Sequence, residues 1–341
     1  MAQVQISDVA VPAEFTAYTV ENSMLSTALF QSGVALPNGE MAAQLQAGAQ
    51  QFTVPFWSDI PDIEADITTD NASVLSTPQK ISAASMLVRK SFLHQSWSEM
   101  SLASELSGSE ALARIQSRVM AYWDRQYEKR LIASLLGVLY SNVANNSGDM
   151  VVDIHAATGT VTLPGTTVTV PANQFNGLAV INTALTLGDR LADVKAIAMH
   201  SVIYGRALAA NEIQFFEPSD NGLELRTYKG MAVIIDDSLT TATAGVYVTI
   251  LFGPGAVGYA VSEPRTGFGT ETFRIPSAGN GGGQTFLHSR FNAAIHPLGF
   301  AFTGATVAGE SPIQAELALP ANWTRAYSQR KSVPLAFLIS L

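Results

Sequence analysis

The 341-residue sequence contains no cysteine. Disulfides, thiolate metal sites and a cysteine nucleophile are excluded together. Charge is also scarce: Asp, Glu, Lys and Arg make up 14 % of the chain, where soluble domains carry about 25 %. Much of the surface is therefore expected to lie against partners, although the many Ser, Thr, Asn and Gln residues also solvate a surface. Net positive charge is absent, the formal balance being −9. The densest cationic clusters, Arg125, Lys129 and Arg130 and then Arg325, Arg330 and Lys331, read as solvated helix faces or ion-pair partners. A groove that grips nucleic acid leaves a basic stripe, so sequence-specific binding of DNA or RNA is disfavoured. The amino terminus lacks a basic region followed by an apolar core, so no secretion signal is expected. The terminal run "VPLAFLISL" is far too short to span a bilayer, and the sequon Asn322-Trp323-Thr324 carries no weight without secretion. These features fit a protein made and used in a cytoplasm, with no membrane partner.

What is present is a large apolar fraction, 47 %, enough for a sizeable core. Residues 1–50 mix short apolar runs with Gly and Pro; their longest helical candidate is Asn22–Gln31. From Phe52 to Ser96 the pattern turns extended. "FTVPFWSDIPDIEADITTD" alternates at Ile60, Ile63, Ala65 and Ile67, and "KISAASMLVRKSFLHQSW" follows Pro78. Two strands around a polar turn predict a long hairpin with little core of its own, expected to lie on a neighbour. Apolar residues from Leu112 to Leu139 recur at helical spacing without proline, and Ser107 with Glu110 fits an S-x-x-E capping box. A helix over Ser107–Asn142 would be roughly 50 Å long. Helices at Asn176–Gly188 and Val202–Asn211 then alternate with strands at Val194–Met199, Met231–Ile235 and Val246–Phe252, an α+β unit. After it the pattern is β, with a glycine-rich turn at Gly279–Gly283.

Four features invite a catalytic reading. "FGPGAVG" holds a formal G-x-G-x-x-G at Gly253, Gly255 and Gly258, but Pro264 and further glycines follow where a nucleotide-binding helix must start. A tight strand connection is the better reading. His200 and Ser201 sit where a strand becomes a helix, without the glycines of a nucleophile elbow; Ser201 is placed to be a helix N-cap. The five histidines, His94, His155, His200, His288 and His296, show no ligand spacing for zinc. In "TYKGMAVIIDDSL", Asp236 and Asp237 stand at the end of an apolar strand, where a metal-dependent α/β enzyme would place paired carboxylates. Neighbours in a strand face opposite sides, so the pair is expected to bond to nearby amides at a strand end. The enzyme using Asp236 and Asp237 stays as the alternative.

In order along the chain, "YWDRQYEKRLIASLLGV", "IAMHSVIYGRAL", "TYKGMAVIIDDSL", "YVTILFGPGAVGYA", "RFNAAIHPLGFAF" and "NWTRAYSQRKSV" resemble the major capsid proteins of tailed bacteriophages, with their capsid fold of the HK-ninety-seven type. The resemblance covers the chain from about residue 100 onward; the first 100 residues match by architecture alone. It implies an α+β fold divided into an N-terminal arm (1–50), an extended β-hairpin loop (51–97), a peripheral domain with a long spine helix (98–145), an axial domain (146–254), and return strands of the peripheral domain with the C-terminal segment (255–341). It implies a structural, non-enzymatic protein that self-assembles into hexamers and pentamers of an icosahedral shell, in the virion, after assembly in the host cytoplasm. No catalytic, cofactor-binding or metal residue comes with the resemblance, and no cofactor. Implied partners are other copies of itself, a portal, a decoration protein and packaged DNA held without sequence-specific contacts. Because no long charged leader is present, a separate scaffolding protein is expected, or a chain that is already mature.

Overall fold

A computed structural model describes residues 34–60, 63–71, 73–107, 110–156, 158–163, 166–171, 173–216 and 225–341, with Leu29 and Ser32. In chain order these form β1 (Ala35–Pro37), α1 (Gly39–Gln46), β2 (Gln51–Trp57), β3 (Ala83–Arg89), β4 (Ser91–Met100), α2 (Ser101–Ser107) and α3 (Ala111–Asn145). Then come β5 (Val151–Asp153), β6 (Thr158–Leu163), β7 (Thr166–Pro171), α4 (Gly177–Leu185), β8 (Ala196–Met199), α5 (Ser201–Ala209), β9 (Ile213–Phe216), β10 (Leu225–Tyr228) and β11 (Met231–Ile235). The chain closes with β12 (Tyr247–Phe252), β13 (Val257–Ser262), β14 (Thr270–Ile275), β15 (Gln284–Pro297), β16 (Phe300–Phe302), α6 (Gln314–Leu317), β17 (Trp323–Arg325) and β18 (Leu335–Ser340). The helix expected over Asn22–Gln31 lies outside the described residues, apart from Leu29.

Two sheets organise the molecule. The seven-stranded sheet runs β5-β18-β12-β8-β11-β10-β9, with parallel pairs at β18–β5 and β8–β11. Its central strands are apolar on both faces, as a sheet covered twice must be. Val248, Ile250 and Phe252 of β12 and Leu335 and Phe337 of β18 pack towards α3. The alternating residues Leu251, Ala336 and Leu338 pack towards α4 and α5. The C-terminal run "VPLAFLISL" thus supplies a central strand, and residues 255–341 divide between both sheets. The five-stranded sheet centres on β15, which pairs β13 and β14 along one edge and β4 along the other.

The 35-residue helix α3 joins the two. Its second half is buried in the first core, and Val119, Trp123 and Tyr127 of its first half pack on β15. Gly137 is required there: a Cβ would stand 2.1 Å from the Leu317 carbonyl and 2.4 Å from Trp323 Nε1. Those two groups hydrogen-bond each other at 2.7 Å, directly against the helix.

The helix does not begin with the expected capping box. Ser107 ends α2 and donates to the Ser104 carbonyl, while Glu110 makes no side-chain cap. Glu99, at the end of β4, accepts the Leu112 amide at 2.5 Å instead. The cap is tertiary, not local.

The long hairpin is also shorter than expected. Gln51–Trp57 pairs with Ala83–Arg89, and the second run breaks at Lys90, after which β4 leaves to join β15. The polar turn exists, with Asn71 accepting the Ser73 amide through its side chain and the Val74 amide through its backbone. Among the described residues, the arms around it, with Ile60, Ile63, Ala65 and Ile67, form no ladder. Pro78 removes a ladder donor from the second arm.

Candidate functional site

The aspartate pair sits where β11 ends. The Asp236 amide continues the β8 ladder by donating to the Met199 carbonyl at 3.1 Å. Its side chain turns inward, 3 % exposed, and Oδ1 accepts the Ser238 amide at 2.7 Å. Asp237 turns the other way, with its side chain 72 % exposed. Its Oδ1 accepts the Ser201 amide at 3.3 Å and lies 3.8 Å from His200 Nε2. The Ser201 hydroxyl holds the Asp237 carboxyl below its ordinary range; burial opposes this, and the Ser201 amide and His200 reinforce it. The two carboxylates therefore face opposite sides of the strand, each engaged with backbone, and do not converge on one ion. Among the described residues, no group of three or more His, Asp or Glu is placed to hold a metal.

The strand-to-helix corner carries a correction. His200, not Ser201, is the N-cap of α5: its Nδ1 accepts the Val202 amide at 3.1 Å, and Ser201 is the first helical residue. With Nδ1 so occupied, Nε2 carries the ring proton and faces Asp237. The imidazole cannot serve Ser201 as a base. Upstream, Lys229 and Gly230 both have positive φ and join β10 to β11 as a two-residue hairpin, the geometry of a type I′ turn. "FGPGAVG" joins β12 to β13 with no helix. A Cβ at Gly253 would meet Pro334 at 2.8 Å, so the glycine serves strand packing.

The cationic clusters divide. Arg325 pairs with Asp149 at 2.6 Å and Lys331 with Asp189 at 2.8 Å, as expected of ion-pair partners. Arg130 is no solvated residue: it is buried, donating to Ser91 Oγ at 3.1 Å and to the Pro312 carbonyl at 2.9 Å. Arg330 likewise donates to the Val333 and Leu335 carbonyls. Two scattered histidines meet on the solvent face of β4 and β15, where His94 Nε2 and His288 Nδ1 stand at hydrogen-bond distance, 3.1 Å apart. Asn322 of the sequon is buried, donating to the Glu316 carbonyl.

The segment 58–82 carries the two most exposed large apolar side chains among the described residues. Its ends are tied by the Ser58 amide donating to the Ser82 carbonyl at 2.8 Å. Between them, Ile67 is 90 % exposed and Leu75 84 %, and Ile60, Ile63 and Val74 are also exposed. Apolar side chains so placed in water mark a surface made for contact. At its root, Trp57 lines a cleft of about 550 Å³ with Phe56, Arg190, Leu298, Tyr327 and Pro334.

No family model matches the chain. Over 337 residues, 97 % of its length and 96 % of the relative's, it is 33 % identical to the major capsid protein of Bacillus phage SPP1. The chain belongs to the phage major capsid proteins. Solved structures carry the same fold at low identity. The cyanophage Pam1 capsid asymmetric unit gives a TM-score of 0.59 at 10 % identity, covering 99 % of this chain and 98 % of that one. The capsid of Ralstonia phage GP4 gives 0.56 at 10 %, covering 96 % and 95 %. The mixed α+β capsid fold expected from sequence is therefore the one observed, and the chain is a structural shell protein. No observation favours the metal-dependent enzyme.

Proposed function

We propose that copies of this chain assemble as hexamers and pentamers into an icosahedral shell that encloses a phage genome. Identity of 33 % along nearly the whole length of a phage major capsid protein carries the reading. The exposed apolar segment 58–82 supports it, because a monomer gains nothing from ordering isoleucines in water. In this reading residues 1–50 act as an arm, 51–97 as the extended loop, 98–145 with the long helix as a peripheral domain, 146–254 as an axial domain and 255–341 as the returning strands. In this reading the chain uses no catalytic, cofactor or metal residue and needs no enzymatic activity. A separate scaffolding protein, a portal and a decoration protein complete the particle in the host cytoplasm, and DNA is enclosed without base-specific contacts.

Electron microscopy of the expressed chain, with scaffold supplied, should show shells, tubes or capsomer rings. Strictly monomeric protein under all such conditions overturns the reading. The loop's role is tested by replacing Ser58–Ser82 with Asn-Gly, which closes the paired ends at Trp57 and Ala83 as a tight hairpin. The variant is expected to fold and stay soluble while assembly is lost.

A further inference from the structure

The buried half of α3 holds a charge that the fold does not balance. Arg130 is 8 % exposed, and both acceptors it reaches, Ser91 Oγ and the Pro312 carbonyl, are neutral. Burial lowers its pKa to about 10, so the guanidinium keeps its charge at neutral pH. A second cation borders the same space. Arg89, at the end of β3, donates through Nη2 to the Glu310 carbonyl at 3.2 Å and to Gln50 Oε1 at 3.5 Å, both again neutral. Its Nε–H is buried with no hydrogen-bond partner among the described residues. Neither arginine has a carboxylate within ion-pair distance among the described residues. Glu316 is committed elsewhere: the Ala308 and Ile313 amides hold its carboxyl below the ordinary range against burial, and Arg89 acts on it only through space. Charge left unpaired in a protein interior is strongly destabilising.

Both arginines line a cavity of about 20 Å³ among the β3–β4 corner, α3 and β15. That is room for one guest the size of a water molecule. Ser91 on its wall accepts from Arg130, so its own hydroxyl proton is left to donate. The Ser134 hydroxyl is engaged with the Arg130 carbonyl, and His296 donates Nε2–H to the Phe300 carbonyl. Apolar side chains such as Ile295 and Phe302 complete the lining. The space is therefore rich in donors and positive charge.

We propose that this cavity binds one halide ion, chloride in ordinary solution, held by Arg89 Nε–H, Arg130 and the Ser91 hydroxyl. A water molecule fits the volume but leaves both guanidinium charges unbalanced. Phosphate and sulfate are too large. The ion ties the β3–β4 corner, where the chain returns from segment 58–82, to the buried half of α3. The site lies within one chain and stands whether or not shells form.

Thermal melting of the full, unassembled chain tests this at pH 7 and constant ionic strength, with chloride replacing gluconate stepwise. Gluconate is too large for the cavity. Wild type is expected to gain about 2 °C or more, with a saturating dependence on chloride and likewise on bromide. Arg89→Met and Arg130→Met each remove one cation and should lose the saturating part. General salt effects act on all variants and cancel in the comparison. Arg114→Met, at an exposed position of the same helix, should respond as wild type. If Arg130→Met does not fold, Arg89→Met, at a half-buried position, still decides the matter. A wild-type response no larger than that of Arg89→Met overturns the proposal and assigns the cavity to water. A full chloride response in both cavity variants overturns it too, because the ion then sits elsewhere. Crystals grown in bromide locate the ion directly. An anomalous peak between Arg89 and Arg130 supports the site, and a peak found only at other positions overturns it.

Discussion

The two halves of α3 are built from one continuous helix and do opposite things. From Arg130 to Asn142 nearly every residue is buried, whichever side of the helix it occupies. From Ala111 to Gln126, Val119 and Trp123 are buried and the rest are exposed or half-exposed. A helix surrounded on all sides must satisfy its polar groups internally, and this half does. Ser134 donates to the Arg130 carbonyl, Ser141 to the Trp323 carbonyl, and Asn142 bridges Asp149 and the Met150 amide. The outer half meets no such demand and is free to carry arginines. One half of the beam serves the fold, and the other presents a surface.

The comparison is sharpest in unfolding. Leu135 is fully buried in the main core, so Leu135→Ala should cost about 2–5 kcal/mol in denaturant unfolding. Arg125→Ala, on the outer half, should stay within about 0.5 kcal/mol. Similar losses at the two positions would break the division. The next effect is a pH slope from the buried side. His296 donates Nε2–H to the Phe300 carbonyl at 2.7 Å beside Trp323, and burial pushes its pKa down to about 4. Between that value and about 6.5 the unfolded chain binds a proton that the folded chain refuses. Stability is therefore full above about pH 6.5 and falls as pH drops towards 4, by up to ~3 kcal/mol. His296→Gln keeps a donor and should flatten that slope in melting curves taken across the range.

The inner half was the more legible in the sequence, for a physical reason. Leu131, Leu135, Val138 and Leu139 repeat at helical spacing, and periodicity survives whatever packs on it. Features set by distant neighbours did not show. The cap of α3 comes from Glu99 on another element, while local spacing pointed to Ser107. Arg130 reads as a surface cation until Ser91 and Pro312 close over it. The alternation at Ile60, Ile63 and Ile67 resembles a strand, yet a strand needs a paired backbone, and none of the described residues supplies one. The terminal "VPLAFLISL" became a central strand because β12 and β5 flank it, a fact held elsewhere in the chain. The divergence of Asp236 and Asp237 follows from their spacing, since neighbours in a strand face opposite sides.

Glu99 offers a smaller test confined to the outer half. Glu99→Ala removes the acceptor of the Leu112 amide and should cost about 1 kcal/mol, as loss of a side-chain cap does. Hydrogen exchange should locate the damage. Amides in the first turns of α3 are expected to lose protection, while those from Leu131 to Leu139 keep theirs. Uniform loss along the helix would show that the two halves open as one unit, and that the cap on β4 supports the core as well.

The smallest expected effect concerns the residue that first looked catalytic. Asp237 lies at the amino terminus of α5, accepting the Ser201 amide with its carboxyl held below the ordinary range by the Ser201 hydroxyl. A depressed folded value means that its contribution is present above the unfolded pKa of about 3.9 and is lost as pH falls through the folded value. Asp237→Asn keeps an acceptor for the amide and removes only the charge facing the helix end. For so exposed a side chain the loss should be a few tenths of a kcal/mol at neutral pH, shrinking further in high salt. Once pH falls below the folded value the variant and the wild type should converge, because the wild-type carboxyl is then protonated. Isothermal calorimetry with Mg²⁺, Mn²⁺ and Zn²⁺ separates this capping role from a metal site. Capping predicts the same absence of saturable heat for wild type and Asp237→Asn, whereas heat that disappears in the variant would restore the aspartate pair as a ligand set.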